Sequence, residues 1–215
     1  MRFSKSILMV AVSVLTPLIG HATTVNDNPT LSISNLTFND FTCQVSKAGS
    51  ASGSCGNINV STMTRPGTGI EFSDGFTALG VGFDDAVLHY HVNSTTGIDN
   101  VGLDFNGTFY GYAISSVTES VFDGSGHEVG FASVACGAYA GCTRADNISI
   151  NGTYDDLYVT KDINVSAFLG VAQISYVDQT FSAVPEPSSI ALLGFGLLAA
   201  SAGLLRRRKT ASAKA

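Results

Sequence analysis

The sequence contains no tryptophan and has little basic charge away from its two ends. The absence of tryptophan removes the largest flat aromatic surface on which a sugar ring could stack. Residues 23–184 contain only four of the eleven Lys and Arg residues, but sixteen of the seventeen Asp and Glu residues. The central region therefore carries a net charge of −12, which would repel nucleic acid and anionic lipid headgroups.

The motifs of common hydrolases are also absent. Neither a Gly-x-Ser-x-Gly nucleophile elbow nor a His-Glu-x-x-His zinc helix occurs in the chain. The many carboxylates could include the acid pair of a glycosidase, but the sequence does not give their separation in space. We therefore expect a protein that is not an enzyme, with no catalytic residue and no cofactor.

Two groups of potential metal ligands remain. His89 and His91 are two residues apart, so both rings project from one face of a strand, with Asp84 or Asp85 as a third ligand. That acidic doublet and the one at 155–156 could bind Ca²⁺, although the chain has no Asp-x-Asp-x-Asp-Gly loop. Solvated polar residues explain both groups more simply, and no metal site is predicted.

The central region has the two-residue period of β-strands. Leu88, Tyr90 and Val92 share one face, and the same alternation recurs at 101–109 and 157–165. Further predicted strands cover 30–38, 58–64, 69–72, 110–122, 128–135 and 171–181. Because no stretch resembles a capped amphipathic helix, we predict an all-β fold for residues 23–183: a single antiparallel β-sandwich that is jelly-roll-like.

The first 22 residues have the three regions of a secretory signal peptide. Arg2 and Lys5 supply positive charge, residues 7–15 are apolar, and Gly20 and Ala22 are small residues placed for cleavage after residue 22. The sequence therefore predicts that residues 23–183 are exported.

Export places the four cysteines in an oxidising environment, where two disulfides are expected. Three pairings are compatible with the sequence, and proximity favours Cys43–Cys55 and Cys136–Cys142. A zinc site is the alternative, although neither spacing has the short Cys-x-x-Cys form of structural zinc sites.

Residues 184–215 form a tail whose first parts are a proline motif and an apolar stretch. Pro185, Glu186 and Pro187, within 184–189, predict an extended joint, because proline lacks a backbone donor and fixes φ. Residues 190–205 carry no charge and could cross a membrane as a helix. Such a helix is about 24 Å long against a hydrocarbon core of about 30 Å, so it is short for a permanent anchor.

A basic cluster directly follows the apolar stretch. It consists of Arg206, Arg207, Arg208 and Lys209, and such charge holds the C-terminal end of a membrane helix in the cytoplasm. The proline motif, helix and cluster together resemble the PEP-CTERM sorting signal of Gram-negative bacteria. The resemblance covers only this tail. It implies recognition by an exosortase, a membrane-embedded enzyme with a cysteine nucleophile, and cleavage near the Pro-Glu-Pro motif.

The resemblance also implies a route and a setting. The chain would be anchored transiently in the inner membrane with its C-terminus in the cytoplasm, and would then reach the cell surface or extracellular matrix. The resemblance further implies association with exopolysaccharide and biofilm. For the exported domain we favour a non-catalytic surface or matrix protein. The alternative is a carbohydrate-binding module, with or without Ca²⁺, which would need exposed tyrosines on a concave face.

Overall fold

The computed structural model describes residues 23–182, which are extended over most of their length. The strands are β1 (Thr23–Thr24), β2 (Leu31–Ile33), β3 (Leu36–Ala51), β4 (Asn59–Met63), β5 (Gly69–Asp123), β6 (Glu128–Gly137), β7 (Gly141–Thr143) and β8 (Ala145–Ser182). Among these described residues the helical content is one 3-10 turn at Val25–Asp27, and no helix is long and apolar enough to cross a membrane. The predicted signal peptide and the predicted membrane helix at 190–205 lie outside the described residues.

The two longest strands, β5 and β8, organise the sheet. Residues 69–93 of β5 pair with 156–180 of β8, and residues 100–123 of β5 pair with 157–182 along the other edge of β8. All of these pairings are antiparallel. β8 is therefore a central strand with one part of β5 on each side.

Register shifts bend these long strands as they run through the sheet. In β5 they lie between Ser73 and Phe76, between Phe105 and Gly107, and near Gly111. Such irregularities increase bending and twist, and here they divide one curled sheet into two halves. The first half contains β3, β6 and residues 83–93, 113–123 and 156–167. The second half contains β4 and residues 69–73, 100–105 and 176–182.

The hydrophobic core lies between the two halves. Phe38 of the first half and Phe181 of the second have ring centroids 5.6 Å apart. The ring centroids of Tyr90 in the first half and Phe72 in the second are 5.7 Å apart. All four side chains are buried. The predicted antiparallel β-sandwich is thus confirmed, with its two layers formed by one sheet folded over itself.

The predicted alternation holds where the two halves face each other. Leu88, Tyr90 and Val92 are fully buried, and His89 lies on the outer face. The prediction is wrong for Phe109, which was expected to point inward and is 40% exposed. Phe109 lies at the bend between the register shifts, so no opposite layer covers it.

Both predicted disulfides are present. Cys43 in β3 is bonded to Cys55, which precedes β4, and Cys136 in β6 is bonded to Cys142, its direct neighbour in β7. The small residues at 46–51 belong to a strand rather than to a loop. β3 continues through these small residues to Ala51, because each of them can pair with β5 even though it brings little side chain to the core.

Candidate functional site

The residues predicted to direct sorting cannot be placed in the fold. Pro185, Glu186, Pro187 and the basic cluster at 206–209 lie outside the described residues. The candidate binding sites described below lie within residues 23–182.

The outer face of the first half carries an aromatic and imidazole cluster. The alternation of β5 turns His89 and His91 outward, and β8 places Tyr158 directly opposite His91. The Tyr158 ring stacks on His89 at 5.7 Å between centroids and meets the edge of His91 at 5.0 Å. The two histidines therefore support the tyrosine ring from two directions.

Hydrogen bonds fix the two imidazoles. Nδ1 of His89 lies 3.0 Å from Oγ1 of Thr160, and Nδ1 of His91 lies 3.4 Å from Oδ1 of Asp156. When His91 is neutral and donates from Nδ1 to the carboxylate, its Nε2 is left as an acceptor. This face thus presents acceptors beside a half-buried aromatic ring.

The end of β5, on the other edge of β8, completes the cluster. Phe122 at the end of β5 pairs with Tyr158, and the two ring centroids are 6.3 Å apart. Asp123 follows, and its Oδ1 accepts the backbone N–H groups of Ser125 and His127 at 2.8 and 2.9 Å. The hydrogen bond from His127, followed by that from Ser125, lowers the pKa of Asp123 despite partial desolvation, so its carboxylate is charged at neutral pH.

These side chains enclose a pocket of about 460 Å³. We call it the Tyr158 pocket; its lining includes His91, Phe122, Asp123, Asp156, Tyr158 and Thr160. Aromatic carbon surface with a few converging polar groups is the usual construction of a small-molecule site. An apolar ring face bordered by carboxylate, hydroxyl and imidazole groups matches a polyol, which has C–H faces and hydroxyl edges.

The sequence hypothesis of a metal site at the histidines gains no third ligand from the fold. Asp84 occupies an inward position of β5 and is buried, so it does not share the face of His89 and His91. Asp85 lies close to Asp162, whose pKa is raised to about 6 by burial and then by the Asp85 carboxyl group. Within residues 23–182 no group of three or more His, Cys, Asp and Glu side chains is arranged to hold a metal ion.

A second pocket lies on the first half beside the bend. It has a volume of about 410 Å³, and its lining includes Tyr112, Ile114, Tyr139 and Phe168. The rings of Tyr112 and Tyr139 stack with centroids 6.1 Å apart and are 58% and 88% exposed. Its surface is mainly carbon and its lining contains no charged side chain, so it offers fewer hydrogen-bonding groups than the Tyr158 pocket.

Sequence reasoning found part of the Tyr158 pocket. It singled out His89, His91 and Asp156, but as potential metal ligands, and it missed Phe122 and Asp123. The available signal was the strand ending at 122 followed by an Asp-Gly-Ser-Gly turn. Nothing in the sequence indicated that this turn would lie beside the strand that carries Tyr158.

The comparison with protein-family models matches residues 183–209 to the PEP-CTERM protein-sorting motif. The tail therefore carries the signal that it resembles. This motif marks an exported protein that is anchored at the membrane by its C-terminal tail before processing. The comparison with curated proteins finds no match.

Three solved structures are similar over part of the fold. The enzymatically active domain of bacteriophage CBA120 tailspike protein 4 is 15% identical with a TM-score of 0.36, and the match covers 66% of this chain but 19% of the tailspike. TmCBM61, in complex with β-1,4-galactotriose, is 14% identical with a TM-score of 0.37, covering 65% of this chain and 88% of that one. A promiscuous carbohydrate-binding module of the β-sandwich superfamily is 11% identical with a TM-score of 0.26. The match covers 75% of this chain and 61% of that module's chain. We draw no functional conclusion from similarity at this level.

Proposed function

We propose that this chain is a non-catalytic protein of the cell surface or extracellular matrix, sorted by an exosortase-like enzyme, that binds neutral polysaccharide through the Tyr158 pocket. The observation that carries the binding proposal is the Tyr158 ring, supported by His89 and His91 and bordered by Asp156 and Asp123.

The sorting proposal rests on the tail. Its motif match at 183–209 includes the Pro185–Pro187 segment, the apolar stretch and the basic cluster. We propose transient insertion into the inner membrane with the C-terminus in the cytoplasm, then cleavage near Pro185–Pro187. Release at that point would leave the folded domain among exopolysaccharide in a biofilm.

The charge of the Tyr158 pocket selects among polysaccharides. Among the described residues, its lining contains the carboxylates of Asp123 and Asp156 and no lysine or arginine. The domain as a whole also carries a net charge of −12. Anionic sugars such as uronates would be repelled by these charges, whereas neutral hydroxyl groups can donate to them.

We propose a binding role rather than hydrolysis for the pocket carboxylates. Oδ1 of Asp123 is occupied by two backbone N–H donors, and Asp156 contacts His91. A glycosidase acid needs a raised pKa, but the pKa of Asp123 is lowered by its hydrogen bonds. These features suit fixed acceptors for sugar hydroxyl groups.

Calorimetry of the purified mature protein tests the binding proposal. The host's exopolysaccharide, a neutral polysaccharide and a uronate polymer are titrated in turn, with and without Ca²⁺. We expect saturable binding of the neutral chains and an affinity loss of about tenfold or more for Tyr158→Ala. Tyr112→Ala, in the second pocket, is the matched control and should bind normally.

Two results would overturn the assignment. Loss of binding in Tyr112→Ala but not in Tyr158→Ala would move the site to the second pocket. No binding to any polysaccharide would remove the carbohydrate role and leave a surface protein without a sugar ligand.

The sorting proposal is tested separately, by the mass of the mature protein from exosortase-competent cells. A mature species that keeps Arg206–Lys209 would contradict processing.

A further inference from the structure

Three polar side chains meet inside the sandwich, away from both pockets. Glu119, Lys161 and Gln179 are each at most 1% exposed. Nζ of Lys161 donates to Oε2 of Glu119 and, at 2.6 Å, to Oε1 of Gln179. Nε2 of Gln179 in turn donates to Oε1 of Glu119 at 2.9 Å and to the Gly102 carbonyl oxygen at 3.1 Å.

The curled sheet brings the three residues together. Glu119 and Lys161 are paired neighbours in the first half, and both occupy inward positions of their strands. Gln179 lies further along the same strand β8, in the second half, beyond the bend. Lys161 and Gln179 therefore meet across the core, one from each layer of the sandwich.

An ion pair in this position is costly to the fold. Removing two charges from water is unfavourable, and apolar residues of similar size are often at least as stabilising. The surroundings are apolar: the hydroxyl group of the nearby Tyr90 has no hydrogen-bond partner within residues 23–182, and burial, followed by the charge of Glu119, raises the Tyr90 pKa well above its ordinary value. Stability alone therefore does not account for this arrangement.

The three groups are complementary in reactivity. A lysine amine is a nucleophile once it is neutral, and burial lowers the Lys161 pKa even though Glu119 opposes the shift. The Gln179 carboxamide is an electrophile whose nitrogen is held by two acceptors. Glu119 spans the two nitrogens, with one oxygen at the nucleophile and the other at the leaving group.

We propose that Lys161 and Gln179 form an intramolecular isopeptide bond, and that Glu119 is the catalytic residue that transfers the protons. The bond would link the two layers of the sandwich covalently through their side chains. It is independent of the polysaccharide and sorting proposals.

The reaction balances without any further reagent. The ammonium group of Lys161 passes one proton to Oε2 of Glu119, and the neutral amine attacks Cδ of Gln179. The new Nζ–Cδ bond forms, the Cδ–Nε2 bond breaks, and ammonia leaves. The protonated Glu119 gives that proton to Nε2, which leaves as ammonia, and its carboxylate then takes a second proton from Nζ. Glu119 ends as a neutral acid that holds this second proton, the third proton of Lys161 stays on the new amide nitrogen, and the buried ion pair is replaced by an amide.

Mass spectrometry of the full-length chain, produced in an export-competent bacterial host, tests the proposal. We expect the intact mass to be lower than that of the disulfide-bonded sequence by one ammonia. Trypsin should not cut after Lys161, because an acylated lysine is not a substrate. Chymotrypsin cuts between the two residues, for example after Phe168, and should leave two peptides joined through Lys161 and Gln179. An unmodified mass with a free Lys161 amine in the folded protein would overturn the proposal.

Variants separate the roles of the three residues. Lys161→Arg and Glu119→Gln should both keep the unmodified mass, whereas Gln173→Ala, on the outer face of the same strand, should still lose ammonia. Ammonia loss that persists in Glu119→Gln would overturn the role of Glu119. If that variant does not fold, Glu119→Asp draws the carboxylate back from both nitrogens and should slow the loss measured over time; an unchanged rate would count against the role.

Discussion

Phe72 and Tyr90 belong to the same strand, β5, yet their rings face each other across the core with centroids 5.7 Å apart. The strand crosses the bend between them, so one residue contributes to each layer of the sandwich. The core is therefore made by folding a sheet over itself, and its contacts join residues that are distant in sequence. Changes at the bend, in the core and at the disulfides should therefore have different effects on stability.

Tyr90→Phe should raise the stability of the domain. The Tyr90 hydroxyl group is fully buried and has no hydrogen-bond partner among the described residues, so the folded state bears the cost of its desolvation. Removing it should increase the free energy of unfolding by about 1 kcal/mol. Urea unfolding measures the change, with Phe72→Leu as a comparison variant that should lose stability. A less stable Tyr90→Phe variant would show that the hydroxyl group makes a favourable interaction.

The Cys43–Cys55 disulfide should stabilise the domain more than Cys136–Cys142. The first bond closes a separation of 12 residues and the second a separation of 6 between strands that are already paired. A double Cys→Ser change at the first pair should cost about 2–4 kcal/mol, mainly by freeing the unfolded chain. The free energies of unfolding of the two double Cys→Ser variants, measured under the same conditions, give the comparison. Equal losses would contradict the loop-length argument.

Stability should fall as the pH rises from about 4 to about 6. Burial, then neighbouring acidic side chains, raise the pKa of Asp162 and of Asp178 to about 6, so the folded state binds more protons than the unfolded state in this window. Asp27 and Asp123 have pKa values lowered by hydrogen bonds, and their stabilisation is lost at lower pH. The melting temperature should therefore pass through a maximum near pH 4.

Asp178→Asn tests the origin of this pH dependence. The substitution keeps the shape of the side chain and removes a carboxylate that faces Glu71 and Asp104. We expect a higher melting temperature at pH 7.5, little change at pH 4, and a flatter profile between them. Calorimetry between pH 4 and pH 7.5 measures the melting temperatures of the variant and the wild type. A profile as steep as that of the wild type would assign the pH dependence to other groups.

Gly111→Ala should destabilise the fold more than Gly126→Ala. Both glycines have positive φ values, +69° and +82°, which cost an L-residue about 1–2 kcal/mol. A Cβ atom at Gly111 would lie 2.6 Å from the Leu169 carbonyl oxygen, whereas at Gly126 it would meet nothing within 4 Å. The difference in melting temperature between the variants therefore reports the close approach of strands at the bend. Equal melting temperatures would mean that the bend can relax.

The sequence predicted the all-β class and the disulfide pairs, because alternation and short separations are local properties. It did not predict that β5 and β8 are continuous through their bends. Residues such as Phe109 look like inward strand positions, and only the curvature of the sheet leaves them exposed. Curvature depends on register shifts between strands distant in sequence, which no local pattern records.

The difference between local spacing and contacts distant in sequence also explains which polar site residues the sequence identified. His89 and His91 were singled out because their spacing is local, but their partner Tyr158 comes from another strand. Lys161 occupies an inward strand position between Val159 and Ile163, which is a local signal in the sequence. A charged residue at an inward strand position indicates a buried partner, although the sequence does not identify Glu119 or Gln179 as that partner.

The last residues of β8 occupy the middle of the sheet rather than an edge. Thr180 pairs with Gly69 on one side and with Gly102 on the other, and Ser182 pairs with Asn100. The sorting motif begins at the next residue, 183. A pull on the tail would therefore load β8 along its length, in shear, and both flanking hydrogen-bond ladders would have to yield together instead of opening one pair at a time. Tension on the tail would therefore be borne by a strand that is paired along both of its edges.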